Sequence, residues 1–183
     1  VVMSAVVVGM IWTNLLDSAG LVNSVLKALK IISKPIPFLT DRWGVLFSSM
    51  FVTIWLGLGY YMVIYLTALA NIDESLYEAA SLDGAGPVRQ FIYVTMPGVR
   101  STMMLIMMLS TIAAFRVFNE IYVLTNGSAG PGGMDMTMSM LIKREGTGIQ
   151  ARTGYASAIS IVVLVIVGVM LIVQQILQKR GED

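Results

Sequence analysis

Three stretches of the chain are long, apolar and nearly free of charge: residues 43–69, 101–124 and 155–177. Each meets the ~20 apolar residues that a helix needs to cross a bilayer core. No charged residue falls between Trp43 and Ala70, and the third stretch is apolar apart from small residues and Gln174 and Gln175. A fourth run, residues 1–12, reaches only about 18 Å as a helix. It opens at Val1 without an initiator Met, so it reads as the end of a span begun upstream, with Trp12 at the interface. Residues 14–42 are mixed. Leu21, Val25, Leu29 and Ile32 share a helical face, and Lys27, Lys30 and Lys34 stand off it, which predicts a short helix on the membrane surface. Residues 125–152 read as a polar, Gly-rich loop and 178–183 as a charged tail. The pattern predicts an all-α polytopic membrane protein, truncated at its N-terminal side, with one domain over 1–183.

Between the first two complete spans lies a polar interval, residues 71–98, that reads as helix, turn, helix. Asn71 and Glu74 fit a capping box, and Asp73 and Glu74 place negative charge at a helix N-terminus. Leu76, Ala79 and Ala80 recur at helical spacing. Gly84 is placed to end that helix, because Gly takes positive φ without steric cost. Pro87 suits the first turn of a second helix, and Pro97 is expected to close it.

The residues of this hairpin also resemble a known signature. Glu78-Ala79-Ala80, then Gly84, then Ile92 and Met96-Pro97 resemble the EAA motif of binding-protein-dependent ATP-binding cassette importers, with Met96 where Leu is usual. A second run, Phe118-Asn119-Glu120-Ile121-Tyr122-Val123-Leu124-Thr125-Asn126-Gly127 with Gly130-Pro131-Gly132-Gly133, resembles a segment of the carbohydrate-uptake permeases of maltose and glycerol-phosphate type. Ser128-Ala129 is inserted relative to the usual spacing. Gly154-Tyr155-Ala156-Ser157-Ala158, the region from Leu15 through Gly20-Leu21-Val22-Asn23 to Leu26, and Trp55-Leu56-Gly57 resemble the same group. The resemblance implies a MetI-like permease bundle in the bacterial cytoplasmic membrane that passes a sugar or polyol. It implies two cytosolic ATP-binding subunits, a second permease subunit and an extracytoplasmic solute-binding protein as partners. It also implies that Glu78, Ala79, Ala80, Ser81, Asp83 and Gly84 couple the permease to the ATPase.

Composition agrees with a membrane class. Only 13% of residues are charged, mean hydropathy is +0.79, and 56% are hydrophobic, against about 25% charged in soluble domains. The scattered basic residues argue against a nucleic-acid partner. There is no cysteine and no histidine, which removes thiol catalysis, disulfides and most transition-metal chemistry. No Gly-rich phosphate loop followed by Lys occurs, so the chain is not expected to hydrolyse ATP; no cofactor or metal is expected either. The basic residues conflict with the hairpin's placement. With residues 71–98 inside, the inner side carries Arg89, Arg100, Lys179 and Arg180. The outer side carries Lys27, Lys30, Lys34, Arg42, Lys143, Arg144 and Arg152. That reverses the positive-inside rule, and the hairpin is placed inside on its resemblance alone.

Candidate pathway residues follow from helical spacing. Thr53, Leu56, Gly57 and Tyr60 fall on one stripe of the first complete span, with Tyr60 able to stack on a sugar face and to hydrogen-bond. Packing by small residues explains the same stripe. Ser110, Ala114 and Val117 form the corresponding stripe on the next span. Arg116 and Glu120, four apart, can pair on one helical face; Arg116 lies about 24 Å along that helix from Arg100, and a charge at such depth faces a cavity or a partner. The alternative is copper(I) transport or binding: Met134, Met136, Met138 and Met140 alternate in the outer loop, and thioethers suit that soft ion. Methionine as a flexible packing residue is the plainer account.

Overall fold

The computed structural model describes residues 3–180. Residues 1–2 of the expected partial span and 181–183 of the expected tail lie outside the described residues. The described chain is helical, without strands. In order the helices are α1 (Ala5–Leu16), α2 (Leu21–Ala28), α3 (Arg42–Ala70), α4 (Glu74–Leu82), α5 (Pro87–Gln90), α6 (Met96–Gly98), α7 (Arg100–Phe115), α8 (Asn119–Leu124), α9 (Met138–Gly146) and α10 (Thr153–Arg180). A π-helical turn, Phe91–Thr95, joins α5 to α6.

Helices α3 and α10 run over the stretches expected to span, and each is long enough to cross about 30 Å of hydrocarbon. Helix α3 starts at Asp41, whose carboxylate accepts from the amides of Trp43 and Gly44. The loop before it lies close against its first turn: a Cβ at Gly44 would stand 2.5 Å from the carbonyl oxygen of Pro37. The same loop is pinned by Asn23, which is buried. Its carboxamide donates to the carbonyls of Asp17 and Ile36 and accepts from the amide of Ile36 at 2.8 Å.

Helix α8 is the short piece around which α1, α3 and α9 pack. Leu124 meets Val8 of α1 and Val52 of α3, with Trp12, Leu39 and Leu56 around them. One turn earlier on the same helix, Ile121 meets Ala129 and Met140 of α9, with Val117, Phe118 and Met136. Trp12 packs edge-on against Phe51 and Trp55 at centroid distances of 4.9 and 5.7 Å. Helix α9 lies on α10, and α10 lies on α7. Much of the apolar surface of α3 and α10 stays exposed. In a bilayer that surface loses little, because lipid tails are as apolar as Leu.

Three expectations are corrected. The helix expected over 101–124 is broken. Helix α7 ends at Phe115, Arg116 leaves the helical backbone at φ −97°, ψ 5°, and α8 restarts after Phe118 at φ −141°, ψ −58°. Arg116 and Glu120 therefore no longer share a helical face, and among the described residues no ion pair joins them. The interval 125–152 is more than a loop, since it contains α9, capped by the Thr137 hydroxyl accepting from the Met140 amide. Finally, Pro97 does not close its helix. It has no N–H, and its ring opposes the carbonyl four residues back. The backbone widens ahead of it, so that the Met96 amide reaches the Phe91 carbonyl five residues back. The helix passes through Pro97 and breaks at Val99 (φ −98°, ψ 4°), bending 63° into α7.

Candidate functional site

The polar hairpin is built from its caps inward. Asp73, not Asn71, is the N-cap of α4: its carboxylate accepts from the Ser75 amide at 2.9 Å. Asn71 instead ends α3, its carboxamide donating to the Thr67 carbonyl. The bond to Ser75 holds the Asp73 carboxyl below its ordinary pKa. Helix α4 ends in a Schellman turn, with the Gly84 amide on the Ser81 carbonyl and the Ala85 amide on the Ala80 carbonyl. Gly84 sits at φ +75° with open space where a Cβ would be. A side chain there meets backbone strain, not a neighbour. Gly86 then caps α5, with Pro87 in its first turn as expected.

The hairpin carries Glu78 and Ala79 on its exposed surface, Ala80 half-buried, and Ser81, Asp83 and Gly84 exposed at the turn. No ion pair reaches Glu78 among the described residues. The Tyr77 hydroxyl and the Thr95 hydroxyl lie 2.8 Å apart. Gln90 donates to Ser81 Oγ at 2.8 Å and to the Ala85 carbonyl at 3.1 Å. These ties were not visible in the sequence, because they join residues 9 and 18 positions apart. A groove of about 470 Å³, lined by Leu69, Ala70, Ile72, Glu74, Tyr77 and Glu78, runs along the base of α4.

The expected pathway residues lie apart from the hairpin. Only the first turns of α3 are buried, at Val45, Ser48, Ser49 and Val52. Thr53, Leu56, Gly57 and Tyr60 follow on the less covered part. Thr53 is half-buried, and its hydroxyl donates to its own helix at Ser49. Leu56 packs against the Val8, Val52 and Leu124 cluster. A Cβ at Gly57 would stand 3.1 Å from the Tyr61 ring. Tyr60 is 48% exposed, and its hydroxyl has no hydrogen-bond partner among the described residues. Ala114 and Arg116 are exposed at the end of α7, and Val117 packs toward the Ile121 cluster. Leu56 and Val117, one from each stripe, thus contribute to different packing clusters among the described residues.

The interval 125–152 shows where its methionines go. Met140 is buried and Met136 packs beside it, whereas Met134 and Met138 are exposed. The four thioethers are divided between core and surface, so the copper(I) reading has no support in this geometry. Lys143 stands over the stacked rings of Phe118 and Tyr122, 4.9 and 4.0 Å from their centroids, which fastens α9 to α8. Burial pushes the Asp135 carboxyl above its ordinary range. Arg42 opposes that shift and Asp41 adds to it.

Comparison with known proteins agrees with this architecture. The family model for the binding-protein-dependent transport system inner membrane component matches residues 2–182. The lactose transport system permease protein of Rhizobium radiobacter is 32% identical over 94% of this chain and 58% of its own length. The arabinooligosaccharides transport system permease protein of Halalkalibacterium halodurans is 29% identical over 98% of this chain and 57% of its own. In the crystal structure of a bacterial ABC transporter that imports the acidic polysaccharide alginate, one chain superposes with a TM-score of 0.84. The two are 25% identical, over 98% of this chain and 62% of that one. The chain spans about three-fifths of the length of the relatives it matches.

Proposed function

We propose a function for this chain, which belongs to the family of binding-protein-dependent transport system inner membrane components: it is a membrane subunit of an ATP-driven importer for a sugar or related polyol. The observation that carries the reading is α4. It is a short, exposed helix that lies outside the long apolar helices. It carries Glu78, Ala79 and Ala80 and stops in a tight turn at Gly84. A helix with two alanines in its middle can enter a socket closely, and Glu78 can accept a charge-assisted hydrogen bond there. ATP hydrolysis belongs to two partner subunits on the hairpin's side of the membrane, and α4 carries their movement into the bundle.

Carbohydrate as the substrate class is supported by the relatives named for lactose and arabinooligosaccharides and by the alginate importer. Thr53, Gly57 and Tyr60, on the less covered part of α3, fit one wall of the pathway, and Ala114 and Arg116 at the end of α7 fit another. A second permease subunit would complete it. A solute-binding protein on the opposite side from α4 would deliver the substrate; a related alginate importer is known in complex with a substrate-bound periplasmic protein. The test is ATPase activity stimulated by the loaded binding protein in proteoliposomes. Gly84→Asp and Ala80→Trp are each expected to abolish stimulation while the permease still inserts. Stimulation at the wild-type level in both would remove the docking role of α4.

A further inference from the structure

No residue of α4, α5 or the π-helical turn is buried. Apolar packing therefore does little to hold α4 against α5, and side-chain hydrogen bonds carry an unusual share of the attachment. They form one connected path. Gln90 Nε2 donates to Ser81 Oγ, Ser81 Oγ donates to the Tyr77 carbonyl at 2.8 Å, and the Tyr77 hydroxyl pairs with Thr95 Oγ1. The second donation from Gln90, to the Ala85 carbonyl, holds the turn itself. Tyr77 and Ser81 are about 6 Å apart along α4. One attachment point between two short helices leaves them free to pivot, whereas two separated points oppose it. Beyond Thr95 the helix runs through Pro97 to the break at Val99, so the tied hairpin meets α7 at a single bent joint.

We propose that Gln90 is a positioning residue for transport: its carboxamide locks α4 to α5, so that the hairpin swings about Val99 as one lever. The proposal rests on the reading of α4 as the ATPase-docking helix. A push on α4 then reaches α7 undiminished. Without the Gln90 donations, α4 rocks on the Tyr77–Thr95 tie alone, and part of its stroke is lost in the hairpin.

The test uses the assembled transporter in proteoliposomes with Gln90→Leu, which removes the carboxamide, and Gln90→Glu, which keeps the shape and removes both N–H donors. Three quantities are read: co-purification of the ATP-binding subunits, substrate imported per ATP hydrolysed, and the distance distribution between spin labels at Leu82→Cys, at the end of α4 away from the Tyr77–Thr95 tie, and Tyr93→Cys. The chain has no cysteine to interfere, and both sites are exposed. Expected are unchanged co-purification, a broadened distance distribution, and a fall in import per ATP of about two- to tenfold, the range one net hydrogen bond commands. An unchanged distance distribution overturns the proposal, as does unchanged import per ATP or loss of the ATP-binding subunits in both variants. If Gly84→Asp and Ala80→Trp leave stimulation intact, the docking reading fails on its own, and the label distances still report whether Gln90 locks the hairpin.

Discussion

Gln174 Nε2 donates to Thr111 Oγ1 across 2.7 Å, joining α10 to α7 from positions 63 apart in the chain. The other end of the same carboxamide, Oε1, is buried without a partner. Losing this bond is expected to cost about 0.6–2 kcal/mol, the range for polar contacts between membrane helices. The two partners should differ. Thr111→Val leaves the whole Gln174 carboxamide unpaired and should destabilise more. Gln174→Leu also removes the orphaned oxygen and should cost less, or stabilise. Thermal unfolding of the purified protein in detergent decides the order; the reverse order would mean that Oε1 is satisfied after all.

Gly98 and Ile72 meet where the hairpin closes on itself. A Cβ at Gly98 would lie 2.9 Å from Ile72 Cδ1, the movable tip of a side chain. Gly98→Ala should therefore cost little, below about 1 kcal/mol, because the Ile72 tip can move aside, and Ile72→Val should recover that cost. A double-mutant cycle in unfolding free energy should give a coupling of the same sign; strict additivity would show that the contact is not made.

The Asp73 cap predicts a pH response in α4. Its folded-state pKa lies below the ordinary Asp value because the ionised carboxylate accepts from the Ser75 amide. The stabilisation is complete above the unfolded-state pKa of Asp and is lost as pH falls through the lowered folded value. Hydrogen exchange at the Ser75 amide should lose protection over that acidic range in the wild type. In Asp73→Asn, whose cap does not titrate, protection relative to an unstructured peptide should stay level.

Asn23 fixes the loop ahead of α3 with three hydrogen bonds from a buried position. Asn23→Leu leaves the Ile36 amide unpaired, at roughly 1–3 kcal/mol where water does not reach it, while the Asp17 and Ile36 carbonyls keep the amides of Gly20 and Phe38. The Ile36 amide should then exchange much faster, while amides in α10 keep their protection. Equal loss in both places would indicate global unfolding and not release of the loop.

Tyr60 tests the pathway reading. Its hydroxyl has no partner within the described chain and its ring is half-exposed. Tyr60→Ala should lower uptake by tenfold or more, the loss expected for an aromatic contact worth about 1.5 kcal/mol, and leave co-purification of ATP-binding subunits unchanged. Normal uptake would assign Tyr60 to helix packing or lipid contact.

What the sequence determined by itself was the class and the order of parts. Runs of apolar residues such as 43–69 and 155–177 can only be buried in a bilayer, so α3 and α10 were legible from composition and length. The hairpin was legible for a related reason. Gly84 and Pro87 act on their own backbone torsions, and Glu78-Ala79-Ala80 is local to one helix. The tertiary structure decided whatever depends on residues distant in the chain. Arg116 could not be read as a break, because i, i+4 spacing to Glu120 looks helical until α8 is seen packed against α1, α3 and α9. Pro97 looked like a stop because the sequence does not show that a π-turn can absorb its missing donor. Asn23 gave no sign of its role within the Gly20-Leu21-Val22-Asn23 run until Asp17 and Ile36 closed around it. Gln90 carried no signal at all, since its meaning lies in the distance to Ser81 and Ala85 across a turn. Local torsion and hydropathy are written residue by residue, whereas hydrogen-bond partners across a fold are set only when the helices come together.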